Sequence, residues 1–298
     1  MNIETLTNIS SLIEDIYSLL DLGKEYSPDD DNPYGGNQAA VLGQRLAPRG
    51  EPQAAGLRLS SIGKPCLRQL WYGTHAPLQR EPLRPFTRLK FLYGDLVEEM
   101  LLELVKRSGH LVEGEQDAIL VDGVRGHRDC VIDGMLVDVK SASPFSFKKF
   151  EGGLQREDDA FGYLTQLGSY LLGSREDPIV TYKNEAAFLV MDKVGGHLCL
   201  DRHTFTDEDL EQLHWLIVAR KGALALPLPV PDREFEPVDQ NKPNAKDWVN
   251  GNKKLGVNCS YCDFRDHCWP DLRTFLYGGK PVFLTTVVKE PNVPEVPR

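Results

Sequence analysis

The sequence predicts an α/β fold, with a mixed central sheet flanked by helices and closed by a four-cysteine metal cluster. Three observations point to it. Helical and strand-like periodicities alternate along one stretch of chain, as helix, strands, helix, strands. Asp122-Gly123 and Asp133-Gly134 each interrupt β-rich runs, a strong short-range hairpin signal. Cys66 stands alone upstream, and Cys259, Cys262 and Cys268 fall together downstream in CSYCDFRDHC.

Residues 3–24 place Leu6, Ile9, Leu12, Ile13, Ile16, Leu19 and Leu20 at spacings of three and four, an amphipathic helix. Its apolar face would pack on its own domain or, as the second reading, on a partner. Residues 26–56 are rich in Pro, Gly, Asp and Asn and read as a loop or linker. Ser60 or Ser61 could cap a helix that has Cys66 in or near its first turn. Residues 94–107 form the next helix. EQDAILV, VRGHRDCVI and MLVDVKSA then read as a three-strand meander. A helix follows at 158–173. AAFLVMDK and HLCLDRHTF pair across Val194-Gly195-Gly196, and a last helix covers 207–222. The expected layout is an N-terminal helix at 1–25, a linker at 26–57, one domain at 58–272 and a tail at 273–298.

Bulk composition excludes several classes. Apolar content of 41% and charged content of 26% are ordinary for a soluble protein. No apolar run reaches the ~20 residues of a membrane span. The first residues carry Glu4, Glu14 and Asp15 and no basic start, unlike a signal peptide. A reducing cytoplasm is the expected location, where the six cysteines are metal ligands or core residues rather than disulfides. Cys130 and Cys199 lie in strand runs and read as core. The net charge of −10 argues against a nonspecific nucleic-acid coat. It does not argue against an enzyme whose carboxylates hold divalent ions.

The second Asp-Gly hairpin carries the chemistry. On a strand, Asp138 and Lys140 share a face. Pairing positions symmetrically about Asp133-Gly134 puts Asp129 opposite Asp138, with Cβ atoms ~5 Å apart. Two facing carboxylates destabilise a hairpin unless a cation stands between them. Phosphodiester hydrolysis needs such a divalent ion, and gains from a positive group near the attacking water. Glu98 lies just beyond the apolar arc of its helix and is the third candidate ligand; Glu99 points away. Tyr163, Gln166 and Tyr170 fall at i, i+3 and i+7 on one helix face. They could hold a phosphate or a nucleotide, or be the half-buried side of an amphipathic helix.

Together these residues resemble the PD-(D/E)xK nuclease superfamily, in particular its RecB-like exonuclease branch. The matching pieces are Gly94-x-x-x-Glu98, Gly126-x-x-Asp129, Asp138-Val139-Lys140 and Gln166-x-x-x-Tyr170. The resemblance implies a restriction-endonuclease-like core over about residues 58–272. It implies Mg²⁺ or Mn²⁺ held by Glu98, Asp129, Asp138 and the Val139 carbonyl, Lys140 at the attacking water, and Gln166, Tyr170 and Tyr163 near the DNA. Two positions depart from the usual pattern. Many RecB-like members have His where Glu98 stands, and the acid before the lysine is Asp138 rather than Glu.

The cysteine spacing resembles the iron–sulfur members of this branch: the CRISPR adaptation exonucleases, AddB-type recombination nucleases and related phage exonucleases. The implied cofactor is a [4Fe–4S] cluster on Cys66, Cys259, Cys262 and Cys268, with structural Zn²⁺ as the alternative. Basic residues interleaved with aromatics are further DNA candidates: Lys148 and Lys149 first, then Arg84, Arg88 and Lys90 among Phe86, Phe91 and Tyr93. Lys64 and Arg68 flank Cys66. Lys242, Lys246, Lys253 and Lys254 surround Trp248.

The expected activity is metal-dependent exonuclease cleavage of single-stranded DNA or duplex ends, in recombination, repair or phage DNA metabolism. The setting would be a bacterial or phage-infected cytoplasm. Some relatives form rings around DNA, so a homo-oligomer or a recombination-protein partner belongs to the expectation. The alternative is a non-catalytic DNA-binding or scaffold subunit of a recombination or CRISPR adaptation complex.

Overall fold

The computed structural model describes residues 8–22, 40–43, 56–76, 85–225, 230–241 and 250–297. Its elements, in chain order, are α1 (Leu12–Leu22), α2 (Leu67–His75), α3 (Pro85–Arg107), β1 (Val112–Glu113), β2 (Ala118–Val121), β3 (Val124–His127), β4 (Cys130–Ile132) and β5 (Met135–Ala142). They continue as α4 (Pro144–Glu151), α5 (Tyr163–Ser174), β6 (Glu185–Asp192), β7 (Leu198–Thr204), α6 (Asp207–Leu224), β8 (Val238–Asp239) and β9 (Lys253–Lys254). The last are α7 (Val257–Ser260), α8 (Arg265–Cys268), β10 (Arg273–Tyr277), β11 (Lys280–Thr286) and β12 (Glu295–Val296).

Two compact units emerge. The first contains the described residues of 1–50, 58–63 and 83–219; the second contains those of 51–57, 64–82 and 220–298. This division differs from the single expected domain at 58–272, because Cys66 and the downstream cysteines fall in the second unit.

The first unit is built on a mixed sheet in the order β1-β4-β5-β6-β7. β5 and β6 run parallel and the other neighbours antiparallel. Helices cover both faces. On one side, Ile9, Leu12 and Ile16 of the N-terminal segment pack with Val97, Leu101 and Val105 of α3 against Val137, Val139 and Leu189. The amphipathic N-terminal helix therefore buries its apolar stripe in its own domain, the first of the two readings. On the other side lie α4 and α5, with Phe147, Phe150, Leu167 and Leu171 buried.

Three expectations are corrected here. The run VRGHRDCVI is two strands, not one: β2 and β3 form a separate two-stranded sheet, and only β4 joins the main sheet. The break falls at Arg128-Asp129, where the chain instead bonds the 114–117 loop: Arg128 N donates to Asp117 O and Gln116 N to Asp129 O. Among the described residues α3 extends back to Pro85, nine residues before the expected Gly94. The segment expected as a tail at 273–298 holds β10, β11 and β12. Ser60 and Ser61 sit in a short 3₁₀ turn, and Cys66 itself is the residue before α2.

His110 ties the first unit together. Its ring is buried, with Nδ1 2.6 Å from Asp133 Oδ2 in the hairpin turn and Nε2 3.2 Å from Asp15 Oδ2 on α1. His110→Ala strips both carboxylates of their shared partner and leaves a cavity. It should destabilise the protein by about 3 kcal/mol, read as a lower urea midpoint at unchanged m. A midpoint shift no larger than that of an exposed lysine variant would refute the assignment.

In the second unit, β12-β10-β11-β9-β8 form an antiparallel sheet. One small core gathers Leu70, Trp71 and Tyr72 of α2 with Phe264 and Leu224; another gathers Leu255, Leu272 and Phe283 with Cys259 and Trp269 packed against it. Among the described residues no helix is long and apolar enough to cross a membrane.

Candidate active site

The Asp133-Gly134 turn sets the site. Asp133 and Gly134 take φ of 48° and 84°, the left-handed pair of a two-residue hairpin turn. Gly134 is required there, since a Cβ would lie 2.1 Å from Thr181 Oγ1. The register pairs Ile132 with Met135, Val131 with Leu136 and Cys130 with Val137. Continued by one position, it sets Asp129 against Asp138, as the sequence predicts. Gly126 is needed for packing: a Cβ would come within about 3 Å of Leu59 and of the Tyr170 ring.

Asp138 is 1% exposed. Lys140 Nζ forms an ion pair with Asp138 Oδ2, which confirms their common face. Gln166 Nε2 donates to Asp138 Oδ1 at 3.3 Å and reaches Tyr170 Oη at 3.2 Å. Lys140 Nζ stands 5.3 Å from the centre of the Tyr163 ring. The i, i+3, i+7 face of α5 thus looks onto the acidic strand. Asp129 Oδ2 accepts the Val139 amide at 2.8 Å. Glu98 Oε1 accepts from Gln116 Nε2 at 2.8 Å. Gln116, expected in the strand run EQDAILV, lies instead in the turn before β2, at a φ of 56°, and its contact with Glu98 was not foreseen. Arg128 was also missed. It is 1% exposed, pairs with Asp117 and Asp177, and so fixes the chain just before Asp129.

The charges do not balance. Burial, then the charges of Asp129 and Asp138, push the Glu98 carboxyl up to about 8. Burial, then Asp138, push Asp129 up to about 7. Burial works against the Lys140 ammonium, but Asp138 and Asp129 outweigh it and hold its pKa above the ordinary lysine value. Burial and Asp138 push the Tyr170 phenol up to about 12. One ammonium is too little for three carboxylates, and the protein makes up the difference by holding protons.

A sign follows from this. Between the ordinary carboxyl range near pH 4 and the raised values near 7 and 8, the folded metal-free protein binds more protons than the unfolded chain. Its stability should therefore fall as pH rises through that window, the reverse of a salt-bridged acid. Mn²⁺ should raise the melting temperature more at the alkaline end than at the acid end, and should release protons into weak buffer. Glu98→Gln should flatten the slope. A metal-free stability that climbs through the window as steeply in wild type as in Glu98→Gln would contradict the charge balance.

The donor set suits a hard cation, being carboxylate oxygen throughout. As the side chains stand, no three His, Cys, Asp or Glu among the described residues are grouped to hold a metal ion. Each acid is turned to a donor of the protein instead.

In the second unit, Cys66, Cys259, Cys262 and Cys268 line one cavity with Arg68, Trp269 and Asn258. Burial raises Cys66, takes Cys259 up to about 11 and Cys262 up to about 12, and the neighbouring cysteines add to each. Arg68 Nε and Asn258 Oδ1 are buried there without partners. The four cysteines are thus assembled, though not grouped to share one ion.

The DNA candidates fare differently. Lys148 is exposed on α4; Lys149 Nζ donates to the Asp158 carbonyl at 3.0 Å. Arg68 is committed internally, to Pro231 O and Tyr72 Oη. Lys253 pairs with Asp239 at 2.8 Å. Arg88 and Lys90 lie in the first turns of α3 rather than before it. Arg84, Lys242, Lys246 and Trp248 lie outside the described residues, as does most of the 26–57 linker. Cys130 is fully buried in β4, whereas Cys199 on β7 is half-buried.

No family model matches the chain, and no curated protein does. Two solved structures overlap with it at low similarity. One is the crystal structure of SSO0001, at 13% identity and a TM-score of 0.40, over 77% of this chain and 93% of that one. The other is LHK-Exo in complex with dAMP, at 13% identity and a TM-score of 0.38, over 64% of this chain and 92% of that one.

Proposed function

We propose that the protein is a divalent-metal-dependent DNA nuclease, acting as an exonuclease on single strands or duplex ends. The carrying observation is the charge imbalance at the hairpin: three carboxylates and one lysine, with two of the acids holding protons near neutral pH. Glu98, Asp129, Asp138 and the Val139 carbonyl would hold Mg²⁺ or Mn²⁺. That ion, when bound, neutralises phosphate charge and makes hydroxide available from water. Lys140, already aimed at Asp138, would orient the attacking water and stabilise the charge that develops on the phosphate. Gln166, Tyr170 and Tyr163 line the same place and would steady the phosphate, with Lys148 and Lys149 along the strand. The four cysteines would hold a [4Fe–4S] cluster, or Zn²⁺, that fixes the second unit. The work would be recombination, repair or phage DNA metabolism in the cytoplasm, alone, as a homo-oligomer or beside a recombination partner.

One observation favours the other reading, a non-catalytic binding subunit: every acid already has an intramolecular donor. The deciding experiment incubates end-labelled linear single- and double-stranded DNA beside closed circles, with Mg²⁺ or EDTA. Loss of the linear DNA only, and only with metal, is the expected result. Intact DNA with metal-loaded protein under Mg²⁺ and Mn²⁺ would favour the binding subunit.

A further inference from the structure

We propose that Phe145 and Phe161 form a stacking platform for the bases of single-stranded DNA at the mouth of the acidic site. The proposal rests on the nuclease reading and names the substrate form that the site takes.

Phe145 follows the catalytic strand β5 by three residues, in the first turn of α4. Its helix is otherwise well sorted: Phe147 and Phe150 are buried, while Phe145 is 76% exposed. An aromatic ring set outward beside two lysines wastes apolar surface unless something covers it. Lys149 Nζ lies 5.5 Å from the ring centre and is itself moored to Asp158. That mooring leads to the 3₁₀ turn Arg156–Asp158, three residues before Phe161. Phe161 is 43% exposed and packs its ring 5.6 Å from that of Tyr163. Tyr163 in turn carries Lys140 over its face. Phe161 and Lys140 thus both contact Tyr163, and Lys149 connects Phe145 to the turn that precedes Phe161.

The chemistry fits one occupant. Exposed rings stack on bases of any identity, and ammonium groups beside them take the phosphates between. Lys148 is exposed at i+3 from Phe145, so ring and ammonium share one side of the helix; Lys149, at i+4, is held by Asp158 and braces the ring instead. Glu151 and Glu157 are exposed on the same elements, but two of the nearby acids are engaged within the protein. Asp159 caps the Tyr163 and Leu164 amides, and Asp158 is taken by Lys149. A duplex keeps its bases stacked on one another and offers no such face, so the platform selects unpaired strand.

The test compares an oligodeoxythymidine strand with an abasic strand of equal length and charge, by fluorescence anisotropy in EDTA so that nothing is cut. Wild type should bind the thymidine strand more tightly. Phe145→Ala should weaken that binding about tenfold, the worth of one stacked base, and leave the abasic strand and blunt duplex unchanged. Phe145→Leu, apolar but without a ring face, should lose nearly as much, and Phe145→Tyr should bind as wild type. Phe161→Ala should act in the same direction. Equal binding of both strands by wild type, or an unchanged affinity in Phe145→Ala, overturns the platform, and cleavage of linear DNA by the same preparation in Mg²⁺ would leave the nuclease reading intact. No binding and no cleavage would overturn both.

Discussion

Asp138→Asn should lower DNA cleavage by about a thousandfold or more while leaving the affinity for DNA within a few-fold. Asparagine keeps the shape and the oxygen that Gln166 donates to, but not the charge. Asp138 is the most enclosed of the three acids and the one to which Lys140 is bound. Neutralising it would take a charged ligand from the proposed cation and leave Lys140 without its partner in the same step. Stability moves in two opposed directions. The lost pairing with Lys140 costs folding energy, and relief of the repulsion on Asp129 and Glu98 returns part of it. The melting temperature of the metal-free variant should therefore change far less than its activity. Cleavage by Asp138→Asn at the wild-type rate would place the chemistry elsewhere. Failure of the variant to bind DNA would show a structural role instead.

If the four cysteines hold the proposed metal, Cys262→Ser should lower the metal content per chain and unfold the second unit, leaving the first unit folded. The effect would be large because the cores described in that unit are small. Its two cores are a handful of side chains each, and β8, β9 and β12 are two residues long. Small cores of this kind fall short of the entropy they must offset. The proposed metal node, joining Cys66 to residues nearly two hundred positions later, would supply the difference, on the order of 10 kcal/mol for structural metals. Metal and acid-labile sulfide per chain, followed by limited proteolysis, would read the result. Iron with sulfide means the cluster, and zinc without sulfide means the tetrahedral site. A variant with its metal content and protease resistance intact would remove the cysteines from the fold's support.

The site was more legible than the fold around it. Its geometry is local: an Asp-Gly turn fixes φ, alternation fixes the faces, and counting outward from the turn fixes which acids meet. Tyr163 and Gln166 could be placed on one face, but their proximity to Asp138 depends on the crossover between β5 and β6, which no local pattern encodes. Gln116 was invisible because it reaches Glu98 from a loop. The strand break at Arg128 falls among Gly126, His127, Arg128 and Asp129, poor strand formers that the expected single strand VRGHRDCVI runs through. A buried guanidinium bonded to a loop fixes it there. The terminal strands were missed because the Pro-rich end reads as a tail, although β10 and β11 flank the Gly278-Gly279 hairpin turn.

The two-residue turn at Asp133-Gly134 also works as a parity check on the chain. Strand positions are odd or even with respect to it, and the sum of paired positions is constant. A substitution on either strand leaves that sum intact, whereas one inserted or deleted residue changes it. Asp138 and Lys140 would then turn together toward the apolar core, and Val137 and Val139 would take their place facing Gln166. This hairpin should therefore tolerate conservative replacements at most of its positions and no change in length at any. A deep insertion–deletion scan should mark it as a sharply bounded gap in the tolerated set.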